Sequence, residues 1–280
     1  MGTDRGCTSV FVYRNPDTGV YCWFDLCDSA FDDTLPRVGE VIEVGLSMTL
    51  NTFRPQFFAL EAMPILERVC DQLGLLIVDP QVEHGNAEEA VADLLVQRWI
   101  KKNSGLARYL AHRNGVPILK PYLPVAQSVE AWRFRRQRVW RLEDSGVPVV
   151  VPMVDFAMEG QIRVRRTVSW LKKEGRVLAQ MFPPCDYIAL ITDAPSSGLI
   201  RRLHPYTSVM QALRGLLSVT DGPVGPVYFL SQDRVRDAGT VFDLLVRAKG
   251  SEPDLVSIEP DGFLDCFDPS DLTPRHELGG

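Results

Sequence analysis

Asp79, Glu83 and His84 fall within six residues, directly after the apolar run 75–78. Two carboxylates beside an imidazole could hold a divalent metal or relay a proton, the chemistry of a metal-dependent hydrolase. The same stretch also reads as a turn opened by Asp79-Pro80 and a solvated approach to a helix. Asp25, Asp28, Asp32 and Asp33 form a second acidic group. Hard cations favour such oxygens, but the spacing lacks the alternation and closing glutamate of a calcium loop. The third group is basic: Arg133, Arg135, Arg136, Arg138 and Arg141 are interleaved with Trp132, Phe134 and Trp140. Guanidinium forks fit carboxylates and phosphates, and aromatic rings between them could stack on bases. Arg163, Arg165 and Arg166 follow on a second stretch, so a basic binding surface is expected. The competing reading is that these arginines pair with carboxylates of the same chain or lie over tryptophan rings.

Nucleophilic motifs are incomplete. There is no Gly-x-Ser-x-Gly elbow, no P-loop and no Gly-x-Gly-x-x-Gly fingerprint. His204 has Ser196 and Ser197 nearby in sequence only, and Cys185 would be reactive only with a basic group beside it. The six cysteines form no Cys-x-x-Cys pair and the four histidines are scattered, so neither a zinc site nor any other cofactor is expected. The last three residues, Leu278-Gly279-Gly280, resemble the activated tail of ubiquitin-like proteins. The resemblance stops there, because the preceding half lacks a ββαββ order.

Charge is spread unevenly. The net value is -6, but residues 133–176 carry eleven Arg or Lys against five carboxylates, whereas 1–50 carry three against eight and 251–280 one against eight. An acidic whole argues against indiscriminate polyanion binding, while the basic middle leaves an acidic partner open. A hydrophobic fraction of 45% with 24% charged residues excludes a disordered chain. No run approaches the roughly 18 apolar residues of a spanning helix, so no membrane partner is expected.

The elements that would carry these groups follow from periodicity. Residues 8–13 and 20–26 read as a hairpin around Asn15-Pro16-Asp17-Thr18-Gly19, and 40–50 as a third strand. Residues 57–73 read as a helix stopped by Gly74, with Pro64 either in the first turn of a helix beginning near Met63 or kinking the longer one. Residues 75–78 read as a buried strand. Asn86 and Glu89 have capping-box spacing for a helix to about Lys102, followed by a second helix over 106–113. Pro117, Pro121 and Pro124 argue against a regular element over 116–127. Residues 128–142 segregate badly on a helical wheel and only moderately as a strand. Beyond them, strands over 147–158 and 161–171 flank Glu159-Gly160. In the second, Ile162, Val164, Val168 and Trp170 share one face and Arg163, Arg165, Thr167 and Ser169 the other, as for a sheet with one wet face. Strands over 187–192, 227–230 and 255–258 and helices over 205–217 and 240–248 complete the list.

The expectation is an α+β protein in two halves: a β-β-β-α-β unit with trailing helices over 1–115, a proline-rich connection over 116–127, a second α+β domain with a basic hairpin over 128–267, and a mobile acidic tail over 268–280. The leading functional expectation is a cytosolic, non-catalytic interaction or accessory protein. Arg133, Arg135, Arg136, Arg138, Arg163 and Arg165 would meet an acidic protein or a phosphate. The alternatives are a hydrolase or phosphoester enzyme using Asp79, Glu83 and His84, and a nucleic-acid-binding protein.

Overall fold

The computed structural model describes residues 7–27, 44–79, 86–113, 120–138, 149–194, 198–222, 225–248 and 253–266. The contacts divide the chain into two compact units, Met1–Ile118 and Leu119–Gly280. Both mix helices with antiparallel pairing, so the protein is of the α+β class. Glu83, His84, Asp28, Asp32, Asp33, Arg141, Ser196, Ser197 and the tail 268–280 with its Gly-Gly lie outside the described residues.

In the first unit, strands β1 (Cys7–Arg14), β2 (Tyr21–Cys27) and β3 (Leu46–Thr49) form an antiparallel sheet in sequence order. The first turn closes because Asn15 Oδ1 accepts the Asp17 N–H at 3.0 Å, leaving the Asn15 N–H to donate to the Val20 carbonyl. Helix α1 (Phe57–Leu73) packs Phe57, Phe58, Ala59 and Ala62 inward and ends on Gly74, whose φ of 65° an L side chain resists. Pro64 stands in the interior of α1, beyond its first turn. Buried Glu61 of α1 reaches the β1–β2 turn: its Oε1 accepts Tyr13 Oη at 2.8 Å, Asn15 Nδ2 at 2.7 Å and Thr18 Oγ1 at 3.0 Å.

Three expectations for this unit are corrected. Residues 75–78 form no buried strand. Only Ile77 pairs, with Glu88, and Leu76 and Val78 are exposed. That pairing also takes 86–89 out of the helix, so Asn86 and Glu89 make no capping box. Helix α2 instead starts at Ala92, whose N–H donates to Glu67 Oε1 of α1 at 3.0 Å. Nor does α2 break into two helices: it runs unbroken from Ala92 to Arg113. Asn103, a residue that usually competes with the helix backbone, is spent elsewhere. It accepts the Phe53 N–H at 2.6 Å and donates to the Arg54 carbonyl at 2.9 Å, holding Phe53 at a left-handed φ of 59°.

The second unit begins within the stretch expected to be irregular. Tyr122 bridges to Arg163 and Leu264, and helix α3 (Val125–Arg136) starts directly after Pro124. Its buried stripe is Ser128, Ala131, Trp132 and Arg135, with Phe134 beside it. A hydroxyl and a guanidinium inside the stripe explain why the sequence shows no clean apolar face. A five-strand path follows in the order β12-β4-β5-β8-β9, with β4 (Val154–Glu159), β5 (Arg163–Lys173), β8 (Tyr187–Ala194), β9 (Gly198–Pro205) and β12 (Leu255–Ile258). Only β5 and β8 run parallel. Strand β6 (Arg176–Val177) folds back on the end of β5 through Glu174 and Gly175, both at positive φ, as a two-residue type I′ turn requires.

A small second sheet orders β10 (Leu217–Gly222), β11 (Gly225–Leu230) and β7 (Met181–Phe182). Helix α4 covers only Tyr206–Ala212, so the helix expected over 205–217 ends early and β10 takes its last residue. Helix α5 is Val235–Arg247. The core lies on the even-numbered face of β5. There the Trp170 ring meets Phe182 and Phe242 edge-on at 5.4 and 5.0 Å. The other face of β5 is not simply wet, because Thr167 is buried as well. A central strand with neighbours on both sides is crowded on both faces.

Candidate functional site

Of the first two candidate groups, only Asp79 and Asp25 lie among the described residues. Asp79 follows the Ile77–Glu88 bridge and lies in electrostatic range of Arg98, which pairs with Glu88. Asp25 sits in β2 opposite Val10 and Ser47. Among the described residues no three His, Cys, Asp or Glu side chains converge as metal ligands. His204 is buried in β9 opposite Ile188. Cys185 does have a basic neighbour, Arg166. Burial pushes its thiol up all the same, with the carboxylates of Asp186 and Glu130 adding to it, so the sulfur stays protonated and weakly nucleophilic.

The arginines divide into three sets. Arg135 is buried, donates from Nη1 to the Val154 carbonyl at 3.2 Å and lies 5.4 Å from the Phe156 ring centre. Arg166, on the core face of β5, meets Glu130 of α3 and Asp186, the latter at 3.5 Å. These two belong to the interior. Arg165 is answered across the hairpin: its Nε and Nη2 both stand 2.7 Å from Glu159 Oε2, while Tyr187 donates to Glu159 Oε1 at 3.2 Å. Burial works against the Glu159 charge, but these donors outweigh it and hold the carboxyl below its usual range. Arg133, Arg136 and Arg163 are exposed, Arg136 with its guanidinium 5.4 Å from the Trp132 ring centre.

Register shows which of these share a surface. Directly opposed residues project from the same face of a sheet. Asp155 opposes Thr167, Ala157 opposes Arg165, Glu159 opposes Arg163, Thr167 opposes Tyr187 and Ile191 opposes Arg201. The face opposite the Trp170 core therefore carries Arg163, Arg165, Tyr187 and Arg201 around small central residues. One carboxylate on it is unusual: Asp155 lies in electrostatic range of Arg135, Arg201 and Arg138, with Glu259 also near. Asp155 is exposed as a residue, yet the crowding side chains strip enough water from its carboxyl to push it up despite three cations. Arginines from the end of α3 and from an edge strand thus converge on one weakly held negative charge.

Sequence reasoning missed Asp155, Arg201, Glu130 and Asp186. Arg201-Arg202 was legible as a basic pair, but the strand that holds it was not expected. Comparison with protein-family models, with curated proteins and with solved structures finds no match to this chain.

Proposed function

We propose that this chain is a non-catalytic binding protein whose second unit meets an acidic segment of a partner protein. The observation that carries the reading is the convergence of Arg135, Arg138 and Arg201 on Asp155. A partner's carboxylates would meet the field that these guanidiniums set up around Asp155. Arg163, exposed on the same face, extends it. Arg135 and Arg138 serve as fixed charge behind the surface; Arg201 is the exposed contact. The free thiols of Cys22, Cys70 and Cys185 suit a reducing compartment, in keeping with a cytoplasmic location. No helix among the described residues is long and apolar enough to cross a membrane.

The test is calorimetric titration with a glutamate-rich peptide, inorganic phosphate and duplex DNA in parallel. The peptide should bind, and raising NaCl from about 50 to about 300 mM should weaken it. Arg201→Glu reverses one exposed charge and should lower the affinity at least about tenfold. Binding of DNA alone, or a peptide affinity indifferent to Arg201→Glu, would remove this reading.

A further inference from the structure

Strand β9 is the last strand of the five-strand path, and among the described residues it pairs only with β8. Among the described residues no strand pairs with the other edge of its eight residues, Gly198–Pro205. The hydrogen-bond pattern fixes which groups that edge presents. The Tyr206 N–H donates to the Asp186 carbonyl at 3.0 Å, in the same register that pairs Tyr187 with Pro205. Antiparallel ladders alternate, so the even-numbered residues of β9 exchange hydrogen bonds with β8. The N–H and C=O groups of Leu199, Arg201 and Leu203 therefore point away from β8. An open row of this kind is a template for another strand.

We propose that an acidic segment of a partner protein adds to β9 as a further antiparallel or parallel strand. This rests on the binding reading above and specifies its geometry. Charge complementarity selects the occupant. The middle of β9 carries Arg201 and Arg202 on opposite faces, and the strand has no carboxylate of its own. An extended peptide with its carboxylates on one face would set them against Arg201. A second copy of this chain is disfavoured. Any symmetric antiparallel pairing centred on the strand sets Arg201 or Arg202 beside the same arginines of the copy, and opposed like charges destabilise a sheet. Leu199, 71% exposed, offers apolar contact beside Arg201 on one face. Strand addition of this sort takes its affinity from main-chain bonds and its selectivity from alternate side chains.

The probe is an acetylated, amidated octapeptide of alternating glutamate and valine with two analogues, N-methylated at its odd or at its even amides. All three carry the same charge. The expected result is that one analogue loses at least about tenfold in affinity while the other binds like the parent, because only every second amide of an added strand faces β9. Amide exchange at Leu199, Arg201 and Leu203 should slow in the parent complex. Equal binding by all three peptides, or slowed exchange away from β9, overturns strand addition while leaving the charged surface standing. Failure of the parent peptide to bind overturns both. Leu199→Pro removes an outward N–H without touching the β8 ladder and should weaken the parent peptide in the same way.

Discussion

Glu61→Ala is expected to destabilise the first unit by about 4 kcal/mol, since each buried donor left unsatisfied costs about 1–3 kcal/mol. Glu61 is 2% exposed, and its Oε1 alone takes hydrogen bonds from Tyr13, Asn15 and Thr18. Those three donors come from β1 and from the turn that follows it. The carboxylate therefore fixes the β1–β2 turn to α1, across 43 to 48 residues of chain. Alanine removes the acceptor and strands the buried Thr18 hydroxyl together with the half-buried Tyr13 and Asn15 donors. Glu61→Gln keeps an acceptor oxygen in the same place and should cost only about 1–2 kcal/mol, the difference between a charged and a neutral hydrogen bond. Urea unfolding of both variants gives the comparison. An alanine variant within 1 kcal/mol of the parent would show that the turn holds itself, through Asn15 and Gly19, without α1.

The second large effect is expected at Arg166. Arg166→Met should destabilise the second unit by about 3 kcal/mol, the range for breaking a buried ion pair on one side. Arg166 is 6% exposed and stands between Glu130 of α3 and Asp186 before β8. Methionine fills much of the same volume, so packing is largely conserved. What is lost is the cation between two carboxylates, and these are left facing each other. Asp186 retains one partner, the Arg166 backbone N–H at 2.7 Å. The double variant Arg166→Met with Glu130→Gln removes one of the stranded charges and should recover about half of the loss. Equal stability of the single variant and the parent in urea would mean that solvent already screens this group.

These two sites show where the sequence was readable and where it was not. The first hairpin, α1 with its Gly74 stop, the β4–β5 hairpin and α5 rest on local signals: turn residues at fixed spacing and an apolar stripe. Burial of a polar side chain made one element opaque. Helix α3 carries Arg135 on its inward stripe, so binary patterning failed there, whereas β5 kept a readable alternation although Arg166 sits on its core face. Strand β9 was missed because its centre is Arg201-Arg202, which a pattern reader assigns to a loop. Strand β10 was missed because helix-compatible residues run into it after α4.

The basic run was legible as composition. What composition could not show is its partition into buried Arg135 and Arg166, answered Arg165, Arg138 near Asp155, and exposed Arg133, Arg136 and Arg163. That partition depends on register, which pairs residues tens of positions apart. Asp155 itself carried no signal, being one carboxylate in an apolar run.

The measurement that bears most directly on the binding account is the affinity of Asp155→Asn for a glutamate-rich peptide at low salt. Arg135, Arg201 and Arg138 now share the field of that carboxylate. Removing one negative charge beside them, while keeping the side chain's size, should raise affinity for an acidic peptide about fivefold, as a unit charge several ångströms away does in a partly solvated site. Unfolding in urea, run alongside, separates this gain from any change in stability. An affinity for Asp155→Asn equal to or below that of the parent would contradict the account, because it would mean that these arginines do not contact the acidic partner.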